Sequence, residues 1–276
     1  MSSADRIFID NCNLILSSGE SNVGETIRPR WQDGSPAYTI KKFGLINRYD
    51  LSSEFPLLTL RPINWRAALK EILWIWQKKS NVIVELGSKI WDQWQMADGT
   101  IGKAYGYQLA QKHIYPEGEF DQVDRILWEL RNTPASRRML TSLYNFSDLQ
   151  DMALYPCAWS MTFNVENGRL NAILNQRSQD MLAANNWNVV QYSALLMMFA
   201  QVSDLQPGEF IHVIADAHIY DRHIETIEDL ISRQAFPAPT FRIDPDVKDF
   251  YDFTIDSFEV ENYQHGEKIG AFPVAE

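Results

Sequence analysis

The stretch around Asn167-Gly168 constrains the fold of this chain more than any other. On both sides of it apolar residues alternate with more polar ones, at Trp159, Met161, Phe163 and Val165 and then at Leu170, Ala172 and Leu174. A period of two places such residues on one face of a β-strand. Asn-Gly favours the two-residue turn that joins antiparallel strands. The sequence therefore predicts a β-hairpin here, with one face packed on a core.

Other segments carry the helical spacing. Asn64 can cap a helix N-terminus, and apolar residues follow it at Trp65, Ala68, Leu69, Ile72, Leu73 and Trp76, with a second set at Val123, Ile126, Leu127 and Leu130. Residues 189–205 are apolar on nearly all sides, which predicts a buried central helix. No repeat, low-complexity run or linker interrupts the chain. We therefore expect one α+β domain over residues 1–276, with a mixed or antiparallel sheet and several helices.

Composition excludes several classes of protein. A formal net charge of −11 opposes binding to a nucleic-acid backbone, which needs a basic face. The two cysteines are far apart and, with the five histidines, show no zinc spacing, so we expect free thiols and no metal. The first residues lack a basic region followed by an apolar core, and no apolar run is long enough to span a membrane. We expect a cytoplasmic protein with no membrane partner and no obligatory nucleic acid.

Groups capable of chemistry are concentrated between residues 137 and 220. Cys157 lies at the start of the hairpin, with Arg137-Arg138 before it and Arg177 after it. A lone cysteine is more often a small buried hydrophobe than a nucleophile, but nearby arginines would lower its pKa and supply a thiolate. His218 is a candidate base for a Cys/His hydrolase, although spacing shows no third orienting group. A soft nucleophile among arginines favours covalent chemistry on an anionic substrate.

Glu71 lies on the first predicted amphipathic helix, close to two tryptophans. A carboxylate there would be partly desolvated and its pKa raised, whereas a surface glutamate is the plainer alternative. Trp91 and Trp94 precede a Gly-rich turn over residues 98–106. Such aromatics are usually core filler, and they can also form the flat wall of a pocket for a planar ring.

A set of motifs runs along nearly the whole chain. It comprises Arg28, Glu71-Ile72-Leu73-Trp74, Ile90-Trp91-Asp92-Gln93-Trp94, Gly102-Lys103-Ala104-Tyr105-Gly106, Ser136-Arg137-Arg138, Met152-Ala153-Leu154-Tyr155-Pro156-Cys157, Gln176-Arg177-Ser178-Gln179-Asp180, Asn188, Asp216-Ala217-His218-Ile219-Tyr220 and Pro273-Val274-Ala275. In residues, order and spacing this set resembles the thymidylate synthase family. The resemblance implies an α+β domain with a bent six-stranded mixed sheet flanked by helices, and two such sheets packed back to back in a homodimer. It also implies an enzyme that methylates dUMP at C5, with 5,10-methylenetetrahydrofolate as carbon donor and reductant, and releases dTMP and dihydrofolate.

The resemblance assigns roles to single residues around the base and the sugar. Cys157 would add to C6 of the pyrimidine, while Glu71 would organise water and proton movement with the help of Tyr105, Gln176 and Asp216. Asn188 would read the N3 and O4 edge of uracil, because an amide offers one donor and one acceptor; an Asp there would suit cytosine. His218 and Tyr220 would bind the 3′ hydroxyl of the deoxyribose, which makes His218 a binding residue and removes the hydrolase hypothesis.

The remaining implied sites hold the phosphate and the folate. Arg28, Arg177 and Ser178 would bind the phosphate together with the partner subunit's Arg137 and Arg138, which would make the homodimer obligatory for activity. The implied folate site consists of Trp91, Trp94, Asp180 and Ala275.

The sequence departs from the family pattern at three places, of which the loop and the C-terminus bear on the product. The residue after the nucleophile, often His, is Ala158, and the loop that commonly reads Leu-Gly-x-Pro-Phe is Ala183-Ala184-Asn185-Asn186-Trp187. The chain ends in Glu276, where an aliphatic residue is usual. Leaky closure would let water trap the methylene intermediate and give hydroxymethyl-dUMP, so a dUMP hydroxymethylase is the alternative. A further alternative is a non-catalytic nucleotide- or RNA-binding protein with an inert Cys157.

Overall fold

The computed structural model describes residues 1–275. Its α-helices are α1 (Ser3–Ser18), α2 (Trp65–Ile72), α3 (Gly106–Ala110), α4 (Gln122–Asn132), α5 (Asn185–Val202) and α6 (Ile224–Ser232). Its strands are β1 (Glu20–Ser21), β2 (Thr39–Asp50), β3 (His113–Tyr115), β4 (Gly118–Phe120), β5 (Leu140–Ser142), β6 (Ala158–Glu166), β7 (Arg169–Gln176), β8 (Gln179–Asp180), β9 (Gln206–Tyr220), β10 (Thr240–Ile243) and β11 (Phe258–Glu261). This is the expected mixture of helices with a mixed sheet.

The main sheet has seven strands, which corrects the expected number of six. Its order is β1-β2-β9-β7-β6-β5, and β8 pairs with β9 beyond the end of β7. Strand β9 is parallel to β7 and β8, while the other neighbours are antiparallel. The extra strand arises because β9 is 15 residues long and continues past β7. After two residues the chain rejoins β9, with Asp180 opposite His218.

The predicted hairpin is confirmed as β6 and β7, paired from Ala158↔Gln176 to Glu166↔Arg169. The turn residues Asn167 and Gly168 have φ of 51° and 74°, the left-handed values that Asn and Gly tolerate best. The hairpin also closes the site, because the Arg177 N–H donates to the Cys157 carbonyl at 2.9 Å. The turn at Asn167 and Gly168, which lies ten residues after Cys157 and nine before Arg177, thus helps to set the position of the thiol relative to Arg177.

Helices α2 and α5 pack together beside the sheet and form the centre of the core. Most of α5 is buried, as predicted from its apolar sequence. Asn64 caps α2 by accepting from the Ala67 N–H at 3.2 Å. The helix predicted to run through Trp76 changes after Ile72 into a π-helix, Leu73–Gln77, with the Lys78 N–H bonded to the Leu73 carbonyl. Such π-turns are often found next to functional sites.

Both cysteines are free thiols, as predicted; Cys12 is buried and Cys157 is half-buried. Within residues 1–275 no helix is both long and apolar enough to cross a membrane. The same part of the chain holds no group of three or more His, Cys, Asp or Glu side chains arranged to bind a metal ion.

Candidate active site

One cavity of about 990 Å³ opens at the end of the sheet where β7, β8 and β9 meet. Every predicted site residue except Arg137 and Arg138 lines it. It is large enough for a nucleotide with a second planar ligand, since small-molecule sites are typically about 300–1,000 Å³. Arg137 and Arg138 lie outside this cavity and are exposed.

Cys157 lies at the start of β6, in the wall of the cavity. Its Sγ is 3.7 Å from Nη2 of Arg177, and its backbone N–H donates to the Tyr105 hydroxyl at 3.2 Å. Burial raises the pKa of the Cys157 thiol, while the positive charges of Arg177 and Arg28 oppose that rise. Arg177 is itself fixed, because it donates to the carbonyls of Tyr155 and Pro156. The thiol therefore has a rigid cation next to it, which stabilises a thiolate.

Glu71 is buried, so the surface alternative is wrong. The Trp91 indole donates to its Oε1 at 2.9 Å and the Trp187 indole donates to its Oε2 at 2.6 Å. Burial raises the pKa of Glu71, and the two indole donors partly offset the rise. A carboxyl group with a raised pKa in a cavity is suited to proton transfer near neutral pH.

Tyr105 has an unusual backbone, with φ of 47° and ψ of −106°. A non-glycine residue in this region costs about 1–3 kcal/mol. The next residue is packed too closely for any side chain, because a Cβ on Gly106 would lie 2.2 Å from the Ser80 carbonyl oxygen. This contact holds the turn against the segment that follows the π-helix and directs the Tyr105 hydroxyl towards Cys157.

Gln176 and Asn188 form a connected pair of amides in the cavity wall. The Gln176 Nε2 donates to the Asn188 Oδ1 at 3.2 Å and to the Ser178 carbonyl at 3.0 Å. On its other side Asn188 donates through Nδ2 to the Gln191 Oε1 at 3.2 Å. The amide orientation of Asn188 is therefore set by its neighbours.

The sugar-binding residues predicted on β9 are brought together at its end. The Asp216 Oδ1 is 2.7 Å from the His218 Nδ1, and its other oxygen is 3.8 Å from the Lys41 ammonium. Burial raises the pKa of Asp216, but the hydrogen bond from His218 and the charge of Lys41 outweigh this and lower it overall. The Tyr220 ring packs edge-on to the His218 ring. Burial raises the pKa of Tyr220 to about 12, so it stays a neutral hydrogen-bonding phenol.

The C-terminal residues close one side of the cavity through His223. The His223 Nε2 donates to the Pro273 carbonyl at 2.7 Å, and its Nδ1 is 3.7 Å from the Asp180 Oδ1. Asp180 also accepts from the backbone N–H groups of Leu182 and Ala183. Ala275 lines the cavity, whereas Glu276, on which the closure argument depends, lies outside the described residues.

Three residues of this site were missed by the sequence analysis. Trp187 was noted only as part of an unusual loop, and His223 and Gln191 were not considered. The Trp187 indole and the His223 imidazole contact Glu71 and the Pro273 carbonyl from distant points of the chain, whereas the Gln191 amide contacts Asn188 one turn away on α5. Only Gln191 carried a signal in the sequence, as a polar position within the otherwise apolar α5.

The chain matches known proteins over nearly its full length. The family model described as thymidylate synthase matches residues 6–275. The chain is 46% identical over 260 residues to thymidylate synthase 1 of Bacillus spizizenii, covering 92% of this chain and 93% of the relative, and 45% identical over 260 residues to the thymidylate synthase of Bacillus phage phi3T. The solved structure of the thermostable thymidylate synthase A from Bacillus subtilis superposes with a TM-score of 0.94 at 43% identity, over 99% of each chain. The chain belongs to the thymidylate synthase family.

Proposed function

We propose that this chain methylates dUMP to dTMP and converts 5,10-methylenetetrahydrofolate to dihydrofolate. The observation that carries the proposal is the Cys157 thiol, held 3.7 Å from Arg177 in a cavity that also contains the buried Glu71 and the amide pair of Gln176 and Asn188. Membership of the family supports the same reaction.

In the proposed reaction the Cys157 thiolate forms a bond to C6 of uracil, and the electron pair of the C5–C6 double bond moves towards O4. C5 then acts as the carbon nucleophile that attacks the methylene group of the folate. Glu71 moves protons at the base with the help of Tyr105 and Asp216. C5 then loses its proton and the bond between the transferred carbon and the folate nitrogen breaks, which leaves a methylene group on C5. Hydride from the resulting tetrahydrofolate reduces this group to methyl as Cys157 leaves C6, and dTMP and dihydrofolate are released.

Recognition of dUMP is divided along the cavity. Asn188, supported by Gln176, binds the N3 and O4 edge of the base, and His218 with Tyr220 binds the 3′ hydroxyl. Arg28, Arg177 and Ser178 bind the phosphate, because forked guanidinium groups suit a dianion. This local cluster must act against the overall charge of −11.

The folate occupies the other part of the cavity. Trp91 and Trp94 supply aromatic wall, Asp180 hydrogen-bonds the pterin, and Ala275 belongs to the segment that closes over it. We further propose that residues 1–276 form one catalytic domain and that the protein is cytoplasmic.

A homodimer is proposed from the outer face of the sheet. Ile46 on β2, Ile173 on β7 and Leu140 on β5 are 63%, 37% and 53% exposed. Ile211 and Val213 on β9, between β2 and β7, are only half-buried. Arg137 and Arg138 are exposed just before Leu140, beside this face, and we assign them to the phosphate site of the partner subunit. Ile173→Asp should lower the fraction of dimer measured by sedimentation. Ile114→Asp, at an equally apolar exposed position away from this face, should leave that fraction unchanged.

The reaction is tested by incubating the protein with dUMP and 5,10-methylenetetrahydrofolate and following dihydrofolate by its ultraviolet absorbance. Mass analysis of the nucleotide distinguishes a methyl from a hydroxymethyl product. A hydroxymethyl product without dihydrofolate would refute the methylase and support the hydroxymethylase. Tight dUMP binding without loss of the C5 proton, unchanged in Cys157→Ala, would instead indicate a non-catalytic nucleotide-binding protein.

The shared phosphate site has its own test. Arg138→Ala and Cys157→Ala are each expected to be inactive. A mixed dimer contains one intact site, which combines Cys157 of the Arg138→Ala subunit with Arg138 of the Cys157→Ala subunit. Mixing should therefore restore part of the activity. Complete failure of mixed dimers, with dimer formation verified by mass, would refute the donation of Arg138 across the interface.

A further inference from the structure

His212 is a buried polar residue for which the proposed reaction gives no role. It lies on β9 with 0% of its side chain exposed and is not part of the cavity wall. Its Nε2 is 2.7 Å from the Gln176 Oε1, while its Nδ1 has no hydrogen-bond partner among the described residues. A buried imidazole with a single partner calls for an explanation, since most buried polar groups are hydrogen-bonded.

The neighbours of Gln176 fix which ring nitrogen carries the proton. The Gln176 Nε2 donates both to the Ser178 carbonyl and to the Asn188 Oδ1. A carbonyl can only accept, so the amide nitrogen must face that side and Oε1 must face His212. The hydrogen bond between His212 and Gln176 therefore requires N–H at Nε2. Burial lowers the pKa of His212 to about 3, which is consistent with a neutral ring throughout the physiological range.

Asn188 is fixed in the same sense from its other side. The Gln191 Nε2 donates to the Ala68 carbonyl at 3.1 Å, so the Gln191 Oε1 faces the Asn188 Nδ2. A one-way series of hydrogen bonds thus runs from His212 through Gln176, Asn188 and Gln191 to a backbone carbonyl. Reversing Asn188 would place its amide nitrogen against the Gln176 donor and its amide oxygen against the Gln191 acceptor.

The strand opposite His212 offers a group of the complementary kind. Asn47 on β2 is the register partner of His212, and its Oδ1 accepts from the Asn11 Nδ2 at 3.0 Å. This leaves the Asn47 Nδ2 as a buried donor without a partner in the described chain, directly across the strands from the bare Nδ1 acceptor.

We propose that His212 is a positioning residue that acts together with the Ser178 carbonyl to hold the amide orientation of Gln176, and through it that of Asn188, and thereby strengthens the preference for uracil over cytosine. The proposal rests on the proposed function of Asn188. Uracil presents an acceptor at O4 and a donor at N3, and cytosine presents the reverse, so a freely reversible Asn188 would accept either base. The fixed series holds Asn188 in one orientation, which can be complementary to only one of the two bases, and under the proposed function that base is uracil.

The test compares dUMP and dCMP affinity, by titration calorimetry, in the unaltered protein and three variants. His212→Leu removes the donor, His212→Gln retains an N–H donor at a similar reach, and Leu130→Ala is a destabilising control on α4, outside the cavity. We expect His212→Leu to lower the dUMP to dCMP affinity ratio roughly 3- to 10-fold, the effect of one neutral hydrogen bond. His212→Gln should restore the affinity ratio. Leu130→Ala should lower the melting temperature but leave the affinity ratio unchanged.

Either an unchanged ratio in His212→Leu or a ratio in His212→Gln as low as in His212→Leu would overturn the proposal. Should the leucine variant fail to fold, His212→Asn replaces it, because the shorter amide cannot reach Gln176. Nitrogen NMR of the histidine ring gives a check without ligand: protonated Nε2 with bare Nδ1 is expected, and the opposite tautomer overturns the proposal. Failure of the proposed function is distinguishable, because the unaltered protein would then show no preference for dUMP and form no dTMP.

Discussion

Removing one of the two indole N–H groups that donate to Glu71 should move the acidic limb of the pH–rate profile to higher pH. Trp187→Phe makes this change while keeping an aromatic ring at the position. In the structure the Trp187 Nε1 lies 2.6 Å from the Glu71 Oε2, and Trp91 supplies the only other indole donor to this carboxylate within the described chain.

The size of the shift follows from the value of one hydrogen bond to a charged group. Such a bond stabilises the ionised carboxylate by about 1.5–3 kcal/mol, and one pKa unit corresponds to about 1.4 kcal/mol. Burial already raises the pKa of Glu71, with the indoles acting in opposition. Loss of a donor that favours the charged form must raise the pKa further, by about 1–2 units.

The assay is kcat/KM for dUMP measured as a function of pH. The acidic limb, where Glu71 gains its proton, should move upward by about 1–2 pH units in Trp187→Phe. Trp91→Phe should shift it in the same direction, since its bond is 2.9 Å long and also points to Glu71. Trp128→Phe, a substitution on α4 away from the cavity, serves as the matched control.

An acidic limb that coincides in Trp187→Phe, Trp128→Phe and the unaltered protein would refute the reasoning. It would mean that the indole bond does not influence the proton equilibrium of the group that limits the rate at low pH. A limb that moves downward would contradict the sign of the effect.

Three further predictions concern charge, closure and stability. Arg177→Gln should raise the pKa of the Cys157 thiol by ~1–3 units, because it removes the nearest positive charge, and alkylation of Cys157 by iodoacetamide should then require higher pH; equal rates at every pH would contradict this. His223→Phe should release the segment at Pro273, which would raise KM for the folate and speed carboxypeptidase removal of C-terminal residues. In the unaltered protein the resistance of the C-terminal residues to carboxypeptidase should weaken as pH rises through the pKa of His223. Burial alone would lower that pKa, but Asp180 and the Pro273 carbonyl hold it above 6.5. Asp5 on α1 accepts hydrogen bonds from the backbone N–H groups of Thr59 and Leu60. Asp5→Ala should therefore cost about 2–6 kcal/mol in urea unfolding, because both buried groups lose their acceptor, and a cost below about 1 kcal/mol would contradict this.

Much of the fold was predictable because its elements carry local signals. The Asn167-Gly168 turn, the alternation on β6 and β7 and the apolar sequence of α5 depend on short-range sterics and on which face is buried. The seventh strand was not predictable. Two residues form β8 only because β9 is long enough to pair with them after β7 has ended.

The site divides in the same way. The sequence alone supplied the chemical inventory: it predicted Cys157 as the nucleophile and Asn188 as the amide that reads the base, and the family resemblance implied the remaining roles. Only the tertiary structure decided that Trp187 donates to Glu71, that His223 binds the Pro273 carbonyl, and that His212 faces Gln176. These contacts join residues 36 to 116 positions apart, and hydrogen-bond partners at such separations are set by how the sheet and helices pack rather than by any local pattern.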